Sequence, residues 1–175
     1  MYRPLSSDHP IRAFFATALH ECLSDELGLG YNGAEEVESY LVDMLVRFLH
    51  QDGLHAIRDA EGRRIMKISE LMAEGDVRLR ADSFERERQV HRHIGDFLLF
   101  WSGMFPESVE VMASEFGLDA MLDPVDQGRT SYRVASTFDH PPYEQEAAIF
   151  RHLSDGFEDY RFGLTLVRSE FIARG

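Results

Sequence analysis

Apolar residues recur every three or four positions through most of this sequence, and nowhere do they alternate with polar residues as in a half-exposed strand. Stripes with this spacing cover one face of a helix, whereas alternation covers one face of a sheet. A chain of 175 residues is long enough to enclose a sizeable core behind such stripes. The pattern therefore predicts an all-α protein, folded as a single compact domain over residues 1–175.

Helix stop signals divide the pattern into six to eight predicted helices. Gly28 and Gly75 each end a stripe, and Pro141-Pro142 forces a break. Residues 53–64 are ambiguous: a turn leading into a short helix is favoured, and a short hairpin between residues 56 and 68 is the alternative. The predicted helices cover about 10–27, 34–50, 65–75, 83–105, 106–116, 126–138 and 142–173, the last of them divisible at Asp155-Gly156.

The segment 83–105 is predicted to be the central helix on which the others pack. Its first half is rich in charge and histidine, and its second half is apolar nearly all the way round because Leu99 and Phe100 extend the main stripe. The second half is therefore expected to be enclosed. Gly95 and Ser102, seven residues apart, would let another helix approach closely. The main stripe consists of Val90, Ile94, Phe97, Leu98, Trp101, Met104 and Phe105.

The start of this helix carries polar residues on the face that is apolar two turns later. Arg86 and Glu87 lie on that face, and His93 lies at its edge. The favoured interpretation is that the helix emerges into solvent there. The alternative is a polar pocket at one end of the bundle, in which buried charges require partners from other helices. The pocket would hold a small polar ligand beside Trp101, with Arg86 as the anion contact and His93 or Glu87 as proton donor or acceptor.

Net charge and composition narrow the choice of partners and location. The 31 acidic residues against 18 basic ones give −13, which disfavours a nucleic-acid partner. Lys67 is the only lysine, a usage typical of a GC-rich bacterial genome. The longest apolar run has five residues, far fewer than the roughly 20 that span a bilayer. Asp8 and His9 interrupt any signal peptide, so we expect a cytoplasmic protein without membrane contact.

Gly28-Leu-Gly30-Tyr-Asn-Gly33 matches the dinucleotide fingerprint GxGxxG in its letters but not in its context. That fingerprint requires a strand before it and a phosphate at the start of the next helix. Here a helix is predicted before it, and Glu35 and Glu36 would repel a phosphate. The motif is interpreted as a helix end followed by a turn, and no cofactor is predicted.

No arrangement of residues predicts catalysis or a metal site. Cys22 is the only cysteine, which excludes an intrachain disulfide and favours a small core residue. No glutamate is followed by a histidine three residues later, and Glu87 with His91 is interpreted as a surface pair. The hydroxyl residues around Tyr132 are expected to bond back to their own helix or face solvent. No catalytic residue and no metal ligand is therefore assigned.

Three hypotheses for function follow. The first is a non-catalytic interaction or scaffold module that self-associates as a homodimer or binds another protein. Apolar residues on the flanks of several helices, more than one small core needs, support it. The second is a small-molecule-binding or regulatory domain with the polar pocket described above. The third is a metal-dependent helical enzyme that uses histidines from separate helices.

Overall fold

A computed structural model describes residues 9–49, 57–65, 67–76, 83–108 and 123–174. Regular structure in these ranges is helical, apart from one isolated antiparallel bridge. The predicted all-α fold class is confirmed. The seven α-helices of the described ranges are α1 (Pro10–His20), α2 (Ala34–Phe48), α3 (Ile68–Gly75), α4 (Phe84–Met104), α5 (Pro124–Ser136), α6 (Glu144–Asp155) and α7 (Phe157–Arg174).

Helix α4 is the central element, as the pattern predicts. Its start is fixed by Ser83, whose Oγ accepts a hydrogen bond from the Arg86 backbone N–H at 3.2 Å. Helices α3, α5 and α7 pack along it. The expected enclosure of its second half holds except at Trp101 and Phe105, which are only partly buried. These two rings pack on each other, with centroids 5.0 Å apart, on a flank that the described helices leave partly open.

Each of the two small residues of α4 lets a neighbouring helix approach closely, but the two residues face different helices. A Cβ atom on Gly95 would lie 2.7 Å from ring carbons of Tyr132, so only glycine lets α5 pack this closely. Ser102 instead lies against α7, where its carbonyl oxygen accepts a hydrogen bond from Arg161 Nε at 3.3 Å. The predicted close approach is therefore made by two helices on different parts of α4.

The first helix is shorter than predicted because its last turns widen. Helix α1 ends at His20 and continues as a π-helical turn, Glu21–Glu26, that contains the buried Cys22. Gly28 and Gly33 then take positive φ angles of 63° and 96°. The predicted helix end and turn are confirmed, and the helix before the motif removes the context that a dinucleotide site needs.

The described part of the ambiguous segment 53–64 combines the two predicted alternatives: a minimal hairpin and a turn that leads into a short helix. Arg58 and Arg64 make a single antiparallel bridge, and Asp59 closes the turn by accepting hydrogen bonds from the Glu61 and Arg63 backbone N–H groups at 3.0 and 2.8 Å. The predicted short helix then forms as α3, which begins at Ile68, three residues later than expected. Of the predicted helix at 106–116, only the 3₁₀ turn Pro106–Ser108 lies within the described residues. None of the described helices combines the length and apolar character that crossing a membrane requires.

Candidate functional site

A buried carboxylate, Asp96, forms the centre of the candidate site. Its side chain is 1% exposed although it lies in the apolar half of α4. Tyr40 Oη approaches both carboxylate oxygens, at 2.7 and 2.8 Å, and Tyr132 Oη donates to Oδ1 at 2.8 Å. An Arg47 guanidinium nitrogen donates to Oδ2 at 2.5 Å. Three donors from two other helices therefore satisfy a charge that could not otherwise be buried.

Helical spacing brings these side chains together. Tyr40 and Arg47 are seven residues apart on α2, so both point from the same face. Arg92 precedes Asp96 by one turn of α4 and donates through Nε to Tyr40 Oη at 3.1 Å. Tyr132 reaches Asp96 from α5 because the missing side chain at Gly95 leaves room for its ring.

The two phenols act as neutral hydrogen-bond donors. Burial first, and the Asp96 carboxylate second, raise the pKa of Tyr40 and Tyr132 above the usual tyrosine range. Both hydroxyls therefore keep their protons at neutral pH and donate to Asp96. Tyr40 in addition accepts from Arg92, so that Arg92, Tyr40 and Asp96 form a continuous hydrogen-bonded chain.

This network forms one wall of a surface cleft. The cleft has a volume of about 320 Å³. The side chains of Arg47 and Arg92 are 23% and 30% exposed, so both are partly open to solvent. Within the described residues, each guanidinium uses one N–H group in a hydrogen bond. The described residues that line the cleft are Arg47, Ile57, Gln89, Arg92, His93 and Asp96.

The charges lining the cleft do not balance. Arg47 and Arg92 are cations, and among the lining residues that the structure describes Asp96 supplies the only carboxylate. Outside the lining, Glu146 pairs with the buried Arg88 and also forms an ion pair with Arg92, whose nearer nitrogen lies 3.7 Å away, too far for a hydrogen bond. In a chain of net charge −13, the described residues that line the cleft thus carry one net positive charge.

Arg88 is a third arginine close to the cleft, but it is buried behind the cleft and does not line it. Its guanidinium lies 4.0 Å from the centroid of the Tyr143 ring, a cation–π contact, and it binds the Glu146 carboxylate. Its side chain is only 4% exposed. Arg88 therefore holds Glu146 beside Arg92 but has no access to a ligand in the cleft.

Of the four residues predicted to form a pocket, the cleft contains His93. This buried histidine lies between the rings of Phe48 and Phe97, with centroids 6.2 and 6.1 Å away. Arg86 lies elsewhere, where it donates to Glu74 Oε1 at 2.8 Å and to the Arg58 carbonyl oxygen. Arg86 is thus partnered and partly buried, and it links α4 to α3 and to the turn at 59–62.

Glu87 and Trp101 also lie outside the lining of this cleft. Burial first, and the nearby Asp76 second, raise the pKa of Glu87. Trp101 belongs to an aromatic cluster with Phe97 and Phe105. Its Nε1 has no hydrogen-bond partner among the described residues.

Sequence reasoning missed most of the residues that line the cleft. One signal was present: Asp96 is the lone charge in the apolar half of the central helix, and a charge at such a position needs a buried partner. Arg92, one turn earlier, was a candidate for that partner. Tyr40 and Arg47 on α2 carry no local signal, because only tertiary packing brings them to Asp96.

The remaining candidates for chemistry occupy structural positions. Cys22 is buried as predicted, and burial raises the pKa of its thiol to about 11. Ser136 and Thr137 bond back to the carbonyls of Arg133 and Val134, as expected for helical hydroxyls. In the part of the chain that the structure describes, no three His, Cys, Asp or Glu side chains come together as metal ligands would.

The chemistry of the cleft is the observation that bears on function. It combines a fixed carboxylate, two arginines with donor groups beyond those bound to the network, and a histidine in the wall. Guanidinium groups with free donors recognise oxyanions through charge and paired hydrogen bonds. The chain matches no protein-family model, and no curated protein or solved structure matches it significantly.

Proposed function

We propose that this protein is a non-catalytic binding domain that takes up a small organic carboxylate in the cleft beside Asp96. The observation that carries the proposal is the surplus of guanidinium N–H groups at Arg47 and Arg92 in a partly buried, concave site. Oxyanions satisfy such donors well, because a carboxylate offers two acceptor oxygens in the plane of the guanidinium fork. We extend the proposal to a cytoplasmic location in a bacterium, supported by the acidic charge and the arginine usage.

The Asp96 network prepares the site before a ligand arrives. Arg47 is held by Asp96, and Arg92 is held by Tyr40, so neither long side chain is free to rotate. Fixing the arginines in advance lowers the entropy that binding must cost. In this proposal Asp96 is a positioning residue that orients the arginines and does not contact the ligand.

The charge and size of the cleft favour a ligand with one negative charge. Among the described lining residues, two cations and one carboxylate leave one positive charge for the ligand to neutralise. A second negative charge would lie close to Asp96 and be repelled by it. The volume of about 320 Å³ lies at the lower end of small-molecule sites, and the buried Ile57 offers an apolar wall for the rest of the ligand.

Thermal unfolding in a panel of sodium salts tests this proposal. At equal ionic strength, benzoate is expected to raise the melting temperature more than phosphate does, and chloride serves as the reference. A ligand that binds only the folded protein stabilises it by mass action, about 2.7 kcal/mol at one hundred times its Kd. Equal melting temperatures in benzoate, hexanoate, phosphate and chloride would contradict the proposal.

Variants at Gln89 test whether benzoate binds in the cleft, and they leave the Asp96 hydrogen-bond network intact. This exposed side chain lines the cleft and, among the described residues, hydrogen-bonds only to Glu85, at 3.0 Å. Gln89→Glu adds a negative charge at the rim and is expected to weaken benzoate binding several-fold, whereas Gln89→Lys is expected to strengthen it. Gln145→Glu, an exposed change on α6 in a different depression, is the matched control. Equal effects at both positions would assign the response to overall charge.

A further inference from the structure

Helix α7 carries a second stripe of uncharged side chains, beside the face that packs on the core. Phe162 is 53% exposed, and Leu166, Ser169 and Ala173 follow it at helical spacing within roughly 60° of arc. Leu166 is half-buried and packs at the edge of the hydrophobic core, and the other two are exposed. A helix on the surface of a domain normally has a polar outer face, so this stripe is unusual. The inner face is occupied by Phe157, Tyr160, Leu164 and Val167.

We propose that this stripe is a homodimer interface in which α7 packs antiparallel against α7 of a second copy, with Leu166 near the twofold axis. The stripe is complementary to a second copy of itself only when the two helices run antiparallel. Its first half carries the large Phe162, and its second half carries the small Ser169 and Ala173. Reversing one copy places each Phe162 ring against the small residues of the other, a ridge against a groove.

The charges on one flank of the stripe fit the same arrangement. Asp159 and Arg174 lie near opposite ends of α7 on the same flank. In the antiparallel pair, centred on Leu166, Asp159 lies opposite the partner's Arg174, and the twofold axis makes this pair twice. A parallel pair would leave these flanks on opposite sides of the twofold axis, so that Asp159 and Arg174 could not pair, and would set the two Phe162 rings against each other, which disfavours it.

These charges are available for such a pairing. Within the described residues, Asp159 forms no ion pair. Arg174 pairs with Glu170 on its own helix, at 3.4 Å, and lies 5.6 Å from the centroid of the Phe14 ring, a cation–π contact. Both contacts of Arg174 involve exposed or half-exposed side chains and are worth little. A second copy is therefore the occupant that the stripe fits in both shape and charge. The surface lies on α7, whereas none of the residues lining the cleft comes from α7, so this inference does not depend on the proposed ligand.

The first test is the mass of the purified full chain in solution. One helix pair is a small interface, so we expect a dimer of twice 20.1 kDa to form between about 1 and about 200 µM by light scattering. Phe162→Ser and Leu166→Glu are each expected to weaken the dimer at least tenfold, with far-UV circular dichroism confirming the fold. Phe84→Ser is the matched control, because Phe84 is 70% exposed on α4. A monomer at every concentration, or equal loss in the control, would overturn the proposal.

The second test is the orientation of the two helices. Asp159→Cys and Arg174→Cys variants are prepared separately and oxidised alone and as a mixture; the native Cys22 is buried and does not interfere. Antiparallel pairing predicts a crosslinked dimer from the mixture and little from either variant alone. Crosslinking of each variant with itself, or a dimer that the mixture fails to crosslink, would contradict it.

Discussion

Among single residues, Asp96 is the one whose burial most needs a physical reason. It lies between Gly95 and Phe97 in the apolar half of α4, where an unpartnered carboxylate would cost several kcal/mol. Tyr40, Tyr132 and Arg47 offset that cost with charge-assisted hydrogen bonds. Because they come from α2 and α5, the same bonds fix how these helices sit against α4.

Removing the Asp96 carboxylate should therefore lower the stability of the folded protein substantially. Asp96→Ala leaves two phenols and a guanidinium without their shared acceptor, and we expect the free energy of unfolding to fall by about 3–5 kcal/mol in urea denaturation. Asp43→Ala is the control, because Asp43 is exposed in its pair with Arg12 and its loss should cost no more than about 1 kcal/mol. Should Asp96→Ala fail to fold, Asp96→Asn is measured instead, and we expect its loss of stability to be smaller. Losses as small as the control's would show that the network adds little stability.

A second residue, His91, predicts a pH dependence. It is buried, and its Nδ1 has no hydrogen-bond partner among the described residues. Burial lowers its pKa from 6.5, and the nearby Asp76 opposes this only in part. The unfolded chain thus binds a proton more readily than the folded protein, so stability is complete above pH 6.5 and falls as the pH drops toward the lowered folded value.

Replacing His91 isolates this effect. His91→Leu should lose less stability than the wild type between pH 7.5 and pH 5.5, measured by urea unfolding at both values. His20, whose pKa is raised chiefly by its hydrogen bond to Glu38, is present in both proteins and cancels in the comparison. Parallel losses in the two proteins would show that His91 does not set the slope.

At the scale of elements, the contact between α4 and α5 depends on one missing side chain. Gly95→Ala would place a methyl group 2.7 Å from the Tyr132 ring, which must then move away from Asp96. We expect a net loss of about 1–3 kcal/mol in the free energy of unfolding, although alanine is the better helix former by about 1 kcal/mol. Gly30→Ala is the control, with no atom within 4 Å of the added carbon. An unchanged or raised stability for Gly95→Ala would show that α5 adjusts freely.

The elements themselves were largely predictable, because local signals determine them. Ser83 caps α4 where the predicted central helix begins, and Gly156 separates α6 from α7 at the predicted break. The π-helical turn at Glu21–Glu26 and the Arg58–Arg64 bridge were not predicted in these forms. Neither produces a distinctive spacing of apolar residues in the sequence. The π-helical turn keeps the apolar stripe of an ordinary helix, and a single bridge is too short to show alternation.

The site was less predictable than the fold. Among the proposed pocket residues, only His93 lines the cleft, and Arg86 instead bonds to Glu74. The reason is that the site depends on contacts between distant parts of the chain: Tyr40 and Asp96 are 56 residues apart. Helical periodicity places a residue on a face of its own helix but does not tell which other helix that face meets.

At the scale of the whole molecule, charge and apolar surface are unevenly distributed. A strongly acidic chain carries a cleft between α2 and α4 whose described lining residues have one net positive charge, and its last helix exposes Phe162 outside the face that packs on the core. Acidic surroundings would keep polyanions away while the cleft retains a local attraction for one small anion. The cleft and the outer stripe of α7 are separate surfaces, so ligand binding and self-association can be measured independently.

The most direct measurement is a crystal structure of the protein grown with benzoate. We predict a carboxylate group in the cleft, with its oxygens about 2.7–3.2 Å from guanidinium nitrogens of Arg47 and Arg92. The ring should lie against Ile57, and Asp96 should keep its bonds to Tyr40 and Tyr132. Benzoate bound elsewhere, or an empty cleft at saturating benzoate, would contradict the proposal that this cleft is the binding site.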